Sequence, residues 1–261
     1  MKMSYRLILI ALLSAAAAMP VLGNNQSPDS LPNQQAAATA DQALALALKY
    51  TGFSKLAGFS TAGQPQPELV TITDDQTPFL HALINDRSVW HILLKQAPIA
   101  HPNNKDVTYY RDFSIFLDPE SGRLLRIYAR KNESDSGILP LPPPEVAEKQ
   151  MKNAGAEEYL GLPENIPSIT FIEAIRNVFG NPETAHEIIA VYVIDKQMNH
   201  EPCPVWAIDL RGIPPVPTIN PGGDEKVPLW QRDHFRTVID AETGHQLFFN
   251  NVPQPESPPD K

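Results

Sequence analysis

The sequence predicts an α+β chain of two tandem modules, each a helix packed on an antiparallel β-sheet. Two observations predict it. A Trp-bearing strand, Val89 to Leu94, precedes a strand that ends in Asp118-Pro119-Glu120-Ser121-Gly122, and the same order returns as Val205 to Leu210 and then Asp240-Ala241-Glu242-Thr243-Gly244. Ahead of each run stands a helix-start signal, Thr39 with Gln42 and Thr170 with Glu173, at the spacing of a capping box. Internal similarity of this kind decides the fold before any single element does.

The chain opens on a targeting segment, residues 1–23: Lys2 and Arg6, a short apolar run from Leu7 to Ala18, and small residues near Gly23 for cleavage. The run is too short to span a bilayer, so the product is expected to be exported, to the periplasm or the medium. Its loss takes the basic count from 21 to 19 against 30 acidic residues and the formal charge from −9 to −11. Such a balance argues against nucleic acid as a partner. Cys203 is the only cysteine, so burial and not a disulfide must hold the fold. About 238 residues then remain, enough for two modules of ordinary domain size.

Residues 24–38 are polar with Pro and Ala and read as a flexible leader. The first module, 39–131, starts with a helix carrying Ala43, Leu44, Ala47, Leu48 and Tyr50 and stopped by Gly52. Strands are predicted at Glu68 to Thr73, Phe79 to Ile84, Ser88 to Lys95, Tyr109 to Leu117 and Arg123 to Ala129. Residues 132–167 form a proline-rich linker with a short helix at Glu145 to Asn153. The second module, 168–252, has a helix with Ile172, Ile175, Val178 and Phe179 that ends at Gly180. Its strands are Glu187 to Lys196, Pro204 to Leu210, His234 to Ile239 and His245 to Asn250, and residues 253–261 are a loose tail.

Strand alternation assigns the faces. Trp90, Ile92 and Leu94, Trp206, Ile208 and Leu210, Phe113, Ile115 and Leu117, and Phe235, Thr237 and Ile239 should face the helix. A buried indole contributes roughly 2–3 kcal/mol, so each Trp reads as core. The opposite face should be polar, yet it would carry Leu93, Phe116, Leu124, Tyr128, Val238 and Phe248. Those side chains need a cover, supplied either by the sister module and connector or by a partner. The candidate partner-binding set is Leu93, Phe116 and Tyr128 in the first module and Val238 and Phe248 in the second, with His91 and Arg126 at the rim.

The sequence holds no phosphate-binding Gly-rich loop, no His-Glu-x-x-His pair, no Gly-x-Ser-x-Gly elbow and no paired-Cys spacing. Asp118 with Glu120 and Asp240 with Glu242 read as turn chemistry, since calcium needs further oxygen donors. His200, Glu201 and Cys203 lie near one another but no helix sets them on one face, so they read as a polar turn entering a strand. No catalytic residue, metal or cofactor is expected.

The Trp strand followed by Asp118-Pro119-Glu120-Ser121-Gly122-Arg123-Leu124-Leu125 resembles the PepSY family of exported modules, and the stretch with Trp206 and Asp240 to Gly244 looks like a more divergent member, with Ala241 in place of the usual Pro. The resemblance implies a cystatin-like helix on a sheet and a protein-binding role. Such modules stand in metallopeptidase propeptides and in other exported regulators, and the tandem order is also similar to two-repeat secreted β-lactamase inhibitors. The expectation is a non-enzymatic exported binding protein that restrains a peptidase or cell-envelope enzyme. The alternative is a structural or self-associating envelope component, and a third reading is an enzyme or small-ligand carrier with a pocket between the modules.

Overall fold

The computed structural model describes residues 36–72, 87–100, 108–131, 159–178, 182–196, 201–213 and 233–252. The expected signal segment, the strand at Phe79 to Ile84, the helix at Glu145 to Asn153 and the carboxyl tail lie outside them. The elements in chain order are α1 (Ala40–Thr51), a 3-10 turn (Phe53–Lys55), β1 (Glu68–Ile72), β2 (Arg87–Ala100), β3 (Thr108–Leu117) and β4 (Leu124–Arg130). There follow β5 (Tyr159–Gly161), α2 (Phe171–Ile175), β6 (Glu187–Asp195), β7 (Cys203–Ile213), β8 (Asp233–Asp240) and β9 (Gln246–Val252).

Local chemistry sets the element ends. The Gln42 N–H donates to Thr39 Oγ1 at 3.3 Å and the Thr39 N–H to Gln42 Oε1 at 3.1 Å, closing the capping box of α1. Gly52 ends the helix at φ 87°, with its N–H on the Leu48 carbonyl. A Cβ there would also stand 2.5 Å from Thr170 Oγ1, so both the backbone and the neighbouring helix start exclude a side chain. At α2 the Thr170 N–H and hydroxyl both donate to Glu173 Oε2, at 2.8 and 2.7 Å. Burial works against the Glu173 charge, but the Thr170 hydrogen bonds and Lys55 outweigh it and hold this carboxyl below its ordinary range. The helix is shorter than expected: it stops at Ile175, although Val178 still packs in the core.

The two hairpin turns are built alike. The Glu120 and Glu242 N–H groups donate to Asp118 Oδ1 and Asp240 Oδ1 at 2.9 and 2.8 Å. Gly122 and Gly244 take φ 66° and 75° and donate to the Asp118 and Asp240 carbonyls. Trp90 and Trp206 each donate the indole N–H to a carbonyl ahead of a helix, Trp90 to Ala37 and Trp206 to Ile169. The order of these features repeats, as the sequence suggested, although the loops between them differ in length.

Two separate helix-on-sheet modules do not form, and this corrects the predicted fold class. All the strands among the described residues belong to one antiparallel sheet, ordered β1-β2-β3-β4-β6-β7-β8-β9, with β5 beside β6. The join is a ladder from Ile127↔Ala190 to Arg130↔Glu187 between β4 and β6. Edge strands carry unpaired N–H and C=O groups, and these two edges satisfy each other. Farther along β6, Tyr159–Gly161 takes over the same edge, so the stretch read as linker contributes a strand.

One core follows from one sheet. Both helices pack on the same face, and an aromatic chain crosses the join: Phe53 to Phe113 at 5.1 Å between ring centroids, Phe113 to Phe171 at 6.0 Å, Phe171 to Trp206 at 5.9 Å, Trp206 to Tyr192 at 5.3 Å and Tyr192 to Tyr50 at 6.3 Å. Trp206 is 0% exposed. The predicted face pattern needs one correction. Leu124 lies in this helix-side core, because a register shift between Phe116 and Leu117 pairs it with Leu117 and sends Leu125 to the other face.

Behind the join, the fully buried Arg111 of β3 donates to the carbonyls of Pro182, Glu183, Ala185 and His186, just ahead of β6. Burial lowers its pKa to about 10, against the opposing pull of Tyr109. Replacing it with an apolar side chain strands several carbonyls at once. Arg111→Met is expected to lower the unfolding free energy by about 2–4 kcal/mol, read from urea denaturation.

Candidate binding face

Away from the helices the sheet carries a second, buried apolar cluster of Val89, Phe116, Leu125, Val191, Val193, Val205, Ala207 and Val238, none more than 9% exposed, with Leu162, Leu247 and Phe248 packed against it. Residues opposite one another form rows across the strands. Glu68, His91, Phe116 and Arg126 make one row over β1 to β4. Leu93, Ser114, Tyr128, Ile189, Asp209 and Arg236 make the next, running from β2 to β8 without a break. Asp112, Arg130, Glu187 and Arg211 make a third.

Within these rows the aromatic rings are held by cations and by an imidazole. The Phe116 ring lies between its row neighbours, stacked on His91 at 5.0 Å and 15° and 4.7 Å from Arg126 Cζ. Arg130 Cζ stands 4.4 Å from the Tyr128 ring centre and its Nε lies 3.5 Å from Glu187 Oε1. The Tyr128 hydroxyl donates to that same carboxylate. Burial first, then the adjacent Glu187 charge and its hydrogen bond, hold the Tyr128 hydroxyl well above the ordinary 10.0. His91 has a polar partner at each nitrogen: Glu68 Oε1 is 3.3 Å from Nδ1 and Ser114 Oγ 3.1 Å from Nε2.

All seven residues singled out from the sequence stand on this face. His91, Phe116 and Arg126 are direct neighbours; Leu93 and Tyr128 flank Ser114 in the adjoining row; Val238 and Phe248 are register partners at the far side, beyond Val191 and Ala207. Their exposure differs. Phe116 is 9% and Val238 3% exposed, while His91, Leu93, Arg126, Tyr128 and Phe248 are half-buried.

Three features escaped the sequence reading. Tyr110 is 54% exposed and shares the face by the alternation 110, 112, 114, 116 that already placed Phe116. Asp209 and Arg236 form a buried two-pronged pair at 2.8 and 2.9 Å. Their position opposite Trp206 and Phe235 in strand alternation was the available signal. Glu187 and Arg130, paired across the join, could be matched only once the join was known. Among the described residues no group of three or more His, Cys, Asp or Glu is arranged to hold a metal ion.

Comparison with protein-family models, curated proteins and solved structures found no match.

The Tyr128 contact has a measurable pH signature. A hydroxyl whose folded pKa is raised stabilises the fold fully below its unfolded value of 10.0, and this is lost as pH rises through the folded value. Tyr109, pushed up to about 12 chiefly by burial, acts in the same sense. The urea midpoint is therefore expected to fall above about pH 10. Tyr128→Phe should flatten part of that fall and cost about 1–2 kcal/mol at neutral pH, because buried Glu187 loses a donor.

Proposed function

We propose that this chain is an exported, non-enzymatic binding protein that restrains a peptidase or another cell-envelope enzyme through the sheet face turned away from its helices. The observation that supports the reading is the Phe116 ring held between His91 and Arg126, beside Tyr128 under Arg130 and next to half-buried Leu93 and exposed Tyr110. Protein contacts draw most of their affinity from a few aromatic and arginine side chains whose geometry is fixed before binding. These side chains stand on paired strands and not on loops, so little ordering entropy is lost on association. The reading rests on this face, since no family model matches the chain.

One observation favours a second reading, self-association. Leu69 on β1, the strand that closes the described order at one side, is 56% exposed. Exposed apolar residues on a terminal strand promote pairing between chains. Light scattering over a concentration series separates the two: a concentration-dependent dimer that Leu69→Lys abolishes favours self-association.

For the binding reading, the purified chain is titrated into exported peptidase and envelope-enzyme activities of its own cells. At least one activity should fall at near-stoichiometric ratio. The double variant Leu93→Asp with Tyr110→Asp should weaken that effect by roughly tenfold or more while keeping its circular dichroism spectrum. A chain that slows none of these activities, or a double variant as potent as the parent, overturns it.

A further inference from the structure

Three adjacent strands bring Glu68, His91 and Ser114 together on the same face. Glu68 and His91 are register partners between β1 and β2, and Ser114 of β3 stands diagonally from His91, opposite Leu93. The distances are 3.3 Å from Glu68 Oε1 to Nδ1 and 3.1 Å from Ser114 Oγ to Nε2. An ionised carboxylate only accepts, so Nδ1 carries the ring proton. In the neutral imidazole Nε2 is then the acceptor, and the Ser114 hydroxyl donates to it. Stacking on Phe116 at 15° fixes the plane of the ring, so both contacts are kept together. Hydroxyl, base and orienting acid thus stand in the order that activates a serine oxygen, within the reach proton transfer requires.

We propose that Ser114 is an acyl-accepting nucleophile, activated by His91 and oriented through Glu68, that reacts with activated carboxylic esters. This goes beyond partner binding and does not rest on it. Ser114 Oγ attacks the ester carbonyl carbon while its proton passes to His91 Nε2. The bond from that carbon to the leaving oxygen breaks, and the leaving oxygen takes the proton from Nε2. The products are an acyl-Ser114 ester, a free alcohol or phenol and a neutral imidazole. β3 has a ladder on both sides, with Ser114 opposite Leu93 and Tyr128. Its main-chain N–H groups are therefore committed, and no pair of them serves the tetrahedral oxyanion. The reaction is accordingly slow, and because the serine oxygen is a poorer leaving group than that of an activated ester, hydrolysis of acyl-Ser114 is slower still and one acyl group accumulates per chain.

The test uses the full chain with p-nitrophenyl acetate, following nitrophenolate release and locating acetyl groups by peptide mass spectrometry. The expected result is one acetyl group on the peptide containing Ser114, absent in Ser114→Ala and formed roughly tenfold or more slowly in His91→Gln and Glu68→Gln. Circular dichroism of each variant confirms that the sheet is intact, and Glu68→Gln, at an exposed position, keeps the test valid should His91→Gln unfold. Acetylation confined to lysines, or Ser114 labelling at equal rates in the parent, the Glu68→Gln variant and urea-unfolded chain, overturns the proposal.

Discussion

The ladder between β4 and β6 is the constraint on which the rest of this molecule depends. Four register pairs from Ile127↔Ala190 to Arg130↔Glu187 turn two sets of strands into one sheet. The ladder is continued by the Lys131 N–H on the His186 carbonyl, while the His186 N–H on the Arg211 carbonyl extends the neighbouring ladder between β6 and β7. Arg111 gathers the carbonyls of the segment that enters β6, so the start of that strand is fixed from behind while its edge is fixed from the side. With the sheet continuous, both helices share one core, and the aromatic chain from Phe53 to Tyr192 can run across the join. The opposite face becomes broad enough for a row of six residues from Leu93 to Arg236.

The charged pairs on that face explain how so wide a sheet keeps its register. A slip of one residue would turn every side chain over. Asp209 and Arg236 would then enter the helix-side core beside Phe171, and Trp206 would leave it. The buried pair gains little net energy over apolar residues, since desolvation offsets much of the attraction. Its contribution is to make every other alignment of β7 and β8 worse. Glu187, Arg130 and Tyr128 do the same at the join, where an apolar edge would pair less selectively.

Local features were legible in the sequence because they depend on neighbours in the chain. Thr39, Gln42 and Gly52 mark α1, and Asp118 with Gly122 and Asp240 with Gly244 mark the turns, because each uses hydrogen bonds spanning five residues or fewer or a positive φ that favours glycine. Alternation was equally local, and it turned Trp90 and Trp206 toward the helices and Leu93, Phe116, Tyr128, Val238 and Phe248 away from them, with Leu124 misplaced among the latter. What remained hidden was nonlocal. Nothing in the period of β4 says that its second edge meets β6, so the strands were divided into two sheets. The bulge at Phe116 and Leu117 inserts one residue and reverses the face of Leu124, which no alternating pattern reveals. Arg111 carries no local signal of its role, because its carbonyl partners lie more than 70 positions away.

The stacking of His91 on Phe116 links the face's binding and reactive possibilities. The Phe116 ring is held with an imidazole on one side and a guanidinium on the other. The same restraint acts on the imidazole, whose two nitrogens face Glu68 and Ser114 in the plane that the stacking sets. Order imposed on this aromatic ring therefore also orders a proton acceptor beside a hydroxyl. The contact does not require Ser114 chemistry, since Leu93, Tyr110 and Tyr128 present surface whatever the state of the hydroxyl. The chemistry, by contrast, requires the contact face to be open, because a partner seated over Leu93 and Tyr128 covers Ser114 between them. The two proposals therefore exclude one another at any one moment, because the spacing of adjacent strands puts Ser114 between the proposed contact residues.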